Sequence, residues 1–137
     1  MSQHNMRLFH TLPIIICSIS TLEAAVSADV EQVFEQYIAL AGKLTPVLSS
    51  AKDKPTAEAA AVQLYNLLPE VYDLRTELQK IEKLTPEEEN ELQRKYGKTM
   101  QTEWGKVYEQ IFRLEKENCY HSTAFFKQFR ALCMMLK

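Results

Sequence analysis

The sequence predicts an all-α fold: a long antiparallel helical hairpin with a packed N-terminal helix and a short C-terminal helix, forming a three- to four-helix bundle. Apolar residues recur at spacings of three and four along nearly all of residues 29–137. No stretch of useful length alternates between apolar and polar residues, as a half-buried strand would. Polar helix-start residues at Asp53, Thr85 and Ser122 are each followed by a new apolar stripe.

The first predicted helix runs from Asp29 to about Ser50. Its apolar stripe consists of Val30, Val33, Phe34, Tyr37, Ala41, Leu44 and Leu48. Pro46 falls inside this stripe, has no backbone N–H and crowds the carbonyl of Gly42. A kink or a break near Thr45 is therefore expected.

The second predicted helix follows a polar connection at residues 51–55, and either Asp53 or Thr56 can cap it. It carries the clearest periodicity in the chain, a seam like that of a coiled coil. The seam consists of Ala57, Ala60, Leu64, Leu67, Val71, Leu74, Leu78 and Ile81. Pro69 interrupts the helix on the side away from the seam, which predicts a bend within one long helix.

The third predicted helix begins at a capping box and runs from Pro86 to about Glu117. Thr85 is the N-cap, Pro86 takes the first helical position, and Glu88 is placed to reach back to the cap. The apolar stripe consists of Leu92, Tyr96, Met100, Trp104, Val107, Ile111 and Leu114. Because the turn before this helix is short, we expect the second and third helices to pack antiparallel as a hairpin, with the first helix along it.

The last predicted helix is short and is capped by Ser122. Its apolar face consists of Phe125, Phe129, Leu132, Cys133 and Leu136. Phe126, Met134 and Met135 fall off this face and leave the helix apolar over much of its circumference. These three residues are the predicted interaction residues, together with Cys119. The expected partner is a second copy that contacts the C-terminal helix, or another protein.

Residues 1–28 are predicted to be an export signal peptide, which leaves residues 29–137 as one helical-bundle domain. Arg7 supplies the positive charge, 12–19 is the apolar run, and the small residues 26–28 precede the polar Asp29. The expected location is therefore periplasmic or extracellular. Met6 is an alternative start, and a short helix retained in the mature protein is the competing interpretation. Lipid attachment at Cys17 is disfavoured because no small residue directly precedes it.

Charge and length limit the classes of function. The chain has 16 basic and 18 acidic residues and a net charge of −2. Both signs are interspersed along the chain, which does not indicate a nucleic-acid interface. The apolar run near the N-terminus is shorter than the roughly 18–20 residues that a membrane-spanning helix needs, so no membrane span is predicted in the mature chain.

The residue types that perform catalysis are scarce, so we predict no enzyme, no catalytic residue, no metal site and no cofactor. Residues 29–137 contain one histidine, His121, and the whole chain has three aspartates. The isolated glycines Gly42, Gly97 and Gly105 form no phosphate-binding loop. Trp104, Tyr108 and Phe112 share one side of the third helix. They are interpreted either as core residues or as an exposed recognition stripe.

Cys119 and Cys133 allow two interpretations. In an oxidising compartment they can form an internal disulfide. However, Cys133 lies about 15 Å along the last helix, and a disulfide requires Cα atoms within about 7 Å. The favoured interpretation is that Cys133 is a buried thiol and Cys119 an exposed one.

Two resemblances bear on function. The segments 53–61 (DKPTAEAAA), 95–97 (KYG) and 118–122 (NCYHS) resemble small exported bacterial α-helical proteins of unknown function, which implies a helical hairpin with a small C-terminal helix. The segments 44–46 and 84–86 (LTP) are similar to the start of the L-T-x-x-Q motif of periplasmic stress chaperones; Leu48 and Glu88 occupy the glutamine position. We expect an exported, non-enzymatic helical protein that acts through protein binding or assembly. The alternative is a periplasmic chaperone that holds unfolded clients.

Overall fold

The computed structural model describes residues 26–81 and 83–137. These residues form four helices, α1 (Ala28–Ser50), α2 (Lys54–Lys80), α3 (Pro86–Lys116) and α4 (Thr123–Met135), with a short turn at Asn118–His121 before α4. Within this described part there is no strand, and the predicted all-α bundle is confirmed. Residues 1–25 of the predicted signal peptide, with Cys17, lie outside the described residues.

The helix starts are set by the predicted caps. The Asp53 Oδ1 accepts from the Thr56 N–H at 2.9 Å. The Thr85 hydroxyl accepts from the Glu88 N–H at 3.2 Å, and the Glu88 carboxylate accepts from the Thr85 N–H at 2.8 Å. Each capping box therefore satisfies backbone donors that the first turn of a helix cannot satisfy itself.

Both internal prolines lie inside continuous helices. The second helix runs through Pro69, as expected. Of the kink or break expected near Thr45, the break is wrong, because α1 continues through Pro46 to Ser50. Pro46 and Gly42 are on the exposed side, whereas the neighbouring Val47 is buried in the core. Packing of the buried side therefore holds the helix although one backbone hydrogen bond is lost.

The helix pairing differs from the expected hairpin of α2 and α3. The central hairpin is formed by α1 and α2, which run antiparallel, with Lys43 Nζ 2.8 Å from Glu70 Oε1. The third helix packs on α1, and α4 packs on α2. The apolar seam of α2 therefore packs against both α1 and α4. The periodicity of the seam alone does not specify which helices pack on it.

The third helix runs parallel to α1, because residue numbers increase in the same direction along both helices. The pairs in contact are Glu31 with Lys95, Tyr37 with Trp104, and Leu48 with Arg113. The starts of α1 and α3 therefore lie at the same end of the molecule.

One continuous core joins the helices. Its seam residues on α2 include Ala57, Ala60, Leu64, Val71 and Leu74, as predicted. Leu68 is buried where Leu67 was expected, and Leu67 is only half-buried. The apolar residues in the first turns of α1, Val30, Val33 and Phe34, are also only half-buried.

Candidate functional site

The inner side of α4 anchors the helix to the bundle. Phe125, Phe129 and Leu132 are buried in the core, and the rings of the two phenylalanines lie 5.9 Å apart. The buried Ser122 caps the helix, with its hydroxyl accepting from the Phe125 N–H at 3.2 Å. These contacts account for the stability of a helix that is too short to persist in water alone.

Arg75 of α2 holds the other end of α4. Its Nη1 donates to the Met134 carbonyl at 3.2 Å and its Nη2 to the Lys137 carbonyl at 2.7 Å. The last carbonyls of a helix have no partner within the helix, so the guanidinium supplies the missing donors. Periodicity places Arg75 off the apolar seam, and nothing in the sequence indicates this contact.

The outer side of α4 is apolar and basic. The side chain of Phe126 is 51% exposed, that of Met134 is 62% exposed, and Met135 is half-buried. We define the α4 surface as Phe126, Lys127, Arg130, Met134 and Lys137, which follow one another at spacings of one, three and four along the exposed side.

The cations of the α4 surface have no ion pair within the described residues. Neither Lys127, Arg130 nor Lys137 lies within 4.0 Å of a carboxylate there. The helix itself contains no aspartate or glutamate. The surface therefore presents positive charge next to exposed apolar side chains.

An apolar groove borders α4 on each side. The groove towards α3 has a volume of about 340 Å³ and includes Phe126, Phe129 and Cys133 in its lining. The groove towards α2 has a volume of about 410 Å³, with Tyr65, Pro69, Tyr72 and Met135 among its lining residues. Tyr65 and Tyr72 are 63% and 61% exposed. The predicted interaction residues Phe126 and Met135 thus lie in two different grooves.

A left-handed turn connects α3 to α4. The four residues Asn118, Cys119, Tyr120 and His121 have φ values of 50°, 50°, 52° and 58°. None of them is glycine. Asparagine tolerates this region, whereas each of the other three residues costs about 1–2 kcal/mol. The turn is held by Arg113 of α3, whose Nη1 donates to the Tyr120 hydroxyl at 2.8 Å.

This turn reverses the expected exposure of the cysteines. Cys119 is only 2% exposed and Cys133 is half-buried, so the expectation of an exposed Cys119 is wrong. The left-handed backbone rotates Cys119 into the core. A sequence pattern read with ordinary helical backbone angles instead places this side chain on the surface. Both residues are free thiols, and both line the groove between α3 and α4.

The surroundings of the thiols favour their neutral form. Burial, with a further contribution from Cys133 and Glu115, raises the pKa of Cys119 to about 11. Burial and Glu115 also raise the pKa of Cys133, against a smaller lowering by Lys137. A thiolate is the reactive form, so neither cysteine has the environment of a nucleophile.

The aromatic stripe of α3 divides between the core and the surface. Trp104 is 5% exposed, stacks on Tyr37 with ring centroids 4.3 Å apart, and donates from Nε1 to the Tyr37 carbonyl at 3.1 Å. Tyr108 and Phe112 are exposed. The core interpretation therefore holds for Trp104 alone.

A further groove, of about 520 Å³, lies between the starts of α1 and α3. We name it the α1/α3 groove; its lining includes Phe34, Leu84, Glu89, Leu92, Tyr96 and Met100. The Tyr96 hydroxyl donates to Glu35 at 3.0 Å. The side chain of Gln93 folds over Gly97 and occupies the position that a Cβ atom would take. Gly97 thus makes room for a side chain of its own helix, and not for a close helix contact.

Comparison of the chain with known protein families, with curated proteins and with solved structures gives no significant match. In the part of the chain that the structure describes, no helix has both the length and the hydropathy that crossing a membrane requires. Among the same residues, no three His, Cys, Asp or Glu side chains converge as ligands for a metal ion. His121 lies exposed in the left-handed turn.

Proposed function

We propose that this protein acts by binding or assembly with another protein chain through the α4 surface, and that it has no catalytic role. The observation that supports this function is the exposure of Phe126 and Met134 beside two apolar grooves, with exposed tyrosines on the adjoining side of α2. Aromatic residues, methionine and arginine are the side chains enriched in protein interfaces.

The fold supports a binding role for α4 because the helix is fixed at three places. Its inner face is buried, Ser122 caps its start and Arg75 holds its end. A rigid helix loses little conformational entropy when a partner docks on it. The exposed residues therefore form a preorganised surface.

Site-specific photo-cross-linking tests this proposal. A benzophenone amino acid is placed at Phe126 or Tyr72, and at the exposed Glu109 of α3 as the control, in the full chain within the cells that produce it. Discrete protein adducts at Phe126 and Tyr72, with none at Glu109, are the expected result. Absence of adducts, or equal adducts at all three positions, would contradict the proposal. A broad mixture of many client proteins would favour the chaperone alternative.

We also propose that the chain is exported and that residues 1–28 are removed. The first helix starts at Ala28, and the Ser27 hydroxyl accepts from the Val30 N–H at 3.3 Å. Cleavage after Ala28 removes this cap and leaves Asp29 at the positive end of the helix dipole, where a carboxylate is favourable. N-terminal sequencing of the native protein should give Asp29; finding Met1 or Met6 would contradict export by cleavage.

A further inference from the structure

We infer that the partner of the α4 surface is a second copy of this chain, and that it docks through its α1/α3 groove to give a head-to-tail assembly. This inference rests on the proposed binding role of α4. It names the partner, which the proposed function leaves open.

The end of the molecule that holds the α1/α3 groove is acidic, whereas the α4 surface is basic. Because α1 and α3 run parallel, their first turns lie at the same end of the molecule. Each first turn carries carboxylates, which favour the positive end of a helix dipole. These residues are Asp29 and Glu31 on α1 and Glu87, Glu88 and Glu89 on α3. Glu31 is already paired with Lys95 of α3 at 2.6 Å, so the charge open to a partner is that of Asp29 and of the α3 carboxylates. Glu89 lines the groove itself.

The groove is also apolar enough to receive the exposed side chains of α4. Phe34, Leu84, Leu92 and Met100 line it, and its volume of about 520 Å³ is larger than that of either groove beside α4. Phe126 and Met134 are the apolar side chains that α4 exposes most. An apolar contact with opposite charges around it is the usual arrangement of a specific interface.

Charge also argues against the simplest alternative, a symmetric contact between two α4 helices. Such a contact brings Lys127, Arg130 and Lys137 of one copy close to the same cations of the other. The helix itself has no carboxylate; Glu115 and Asp73 line the adjoining grooves on α3 and α2. Like charges that face each other across an interface oppose association. In contrast, no residue of α4 lines the α1/α3 groove of the same copy, so the groove is open to another chain.

A charge-swap experiment tests the head-to-tail contact. One variant carries Lys127→Glu and Arg130→Glu, so both of its surfaces are acidic. The other carries Glu87→Lys and Glu89→Lys, so both are basic; Glu88 is kept because it belongs to the capping box. Sedimentation velocity of the full chain at about 50 mM salt, where charges are weakly screened, is the measurement.

The wild-type chain should form concentration-dependent oligomers, and each variant alone should associate at least tenfold more weakly. Their equimolar mixture should regain association, because each surface then meets the opposite charge. The control is Lys98→Glu with Lys106→Glu, which makes the same change in net charge on α3 as the first variant makes on α4. This control should leave association unchanged. Circular dichroism identifies any variant that fails to fold, and Phe126→Ser then replaces the α4 variant, with weakened association expected.

A strictly monomeric wild-type chain at several hundred micromolar would overturn the inference. Failure of the mixture to regain association would also overturn it. Association of the Glu87→Lys, Glu89→Lys variant alone at the wild-type level would overturn it as well and would indicate a symmetric contact between α4 helices, because that variant leaves α4 unchanged. If the wild type is monomeric but cross-links through Phe126 to a different protein in cells, the proposed binding function stands and the second-copy partner is excluded. Adducts at neither Phe126 nor Tyr72 would contradict both.

Discussion

The guanidinium of Arg113 lies 2.8 Å from the hydroxyl oxygen of Tyr120 and so joins α3 to the left-handed turn before α4. The same side chain donates to the carbonyls of Ala51 and Leu48, each at 3.0 Å. Arg113 therefore supplies hydrogen-bond donors to carbonyls at the end of α1, and it also holds the turn that leads into α4.

Replacing Arg113 by methionine should destabilise the fold by about 2–3 kcal/mol, because several hydrogen bonds from a charged, half-buried donor are lost. The measurement is urea unfolding followed by circular dichroism. Arg94→Met is the matched control: Arg94 is exposed, and among the described residues its one ion pair is with Glu91 of its own helix. Its loss should stay below about 1 kcal/mol. Equal losses would show that the contacts of Arg113 contribute no more than a surface ion pair.

The left-handed turn should become more stable when glycine replaces an exposed residue within it. His121 has φ 58°, which is strained for any residue with a Cβ atom. His121→Gly should raise the free energy of unfolding by up to about 1 kcal/mol, the relief of strain exceeding the added entropy of the unfolded chain. His121→Ala, which keeps the strain, should show no gain. A gain in both variants would mean that the histidine side chain, and not the backbone, is unfavourable.

Local signals in the sequence predicted the helices but not their partners or the turn. The caps at Asp53, Thr85 and Ser122 depend on residues three positions apart, so the sequence shows them directly. The partner of α2 depends on which distant stripe fills its seam, and several stripes have the required spacing. The left-handed residues at 118–121 carry no glycine that would indicate them. The burial of Cys119 was missed for that reason. The role of Arg75 was missed because its partners are carbonyls about 60 residues away, which periodicity does not indicate.

Truncation of apolar side chains along the seam of α2 should lower the free energy of unfolding most where those side chains are buried. Leu74 is buried, and Leu74→Ala should cost about 2–5 kcal/mol. Leu78 is half-buried, so Leu78→Ala should cost less. Gln79→Ala on the exposed side should stay within about 0.5 kcal/mol. Arg75 is unsuitable as a neutral control because it holds the end of α4. Equal losses at Leu74 and Gln79 in urea unfolding would contradict the burial pattern.

The two thiols should react in a fixed order. At about pH 8.5 iodoacetamide should modify Cys133 before Cys119, because Cys119 is 2% exposed and burial raises its pKa to about 11. Since the folded pKa lies above the ordinary value, this thiol favours folding below about pH 8.5, and the contribution is lost as pH rises through about 11. Peptide mass mapping distinguishes the cysteines. Faster modification of Cys119 would contradict its burial.

Self-association should depend on the apolar side chains of α4 as well as on its charges. Phe126→Ser with Met134→Ser removes the most exposed apolar side chains of the α4 surface, and neither residue belongs to the buried inner face. Helicity should therefore be unchanged, and light scattering should shift towards the monomer mass. Phe112→Ser is the control, because Phe112 is 74% exposed but lies on α3, outside the α4 surface. If Phe112→Ser shifts the mass equally, general surface hydrophobicity causes the association; if the double variant leaves the mass unchanged, α4 is not the interface.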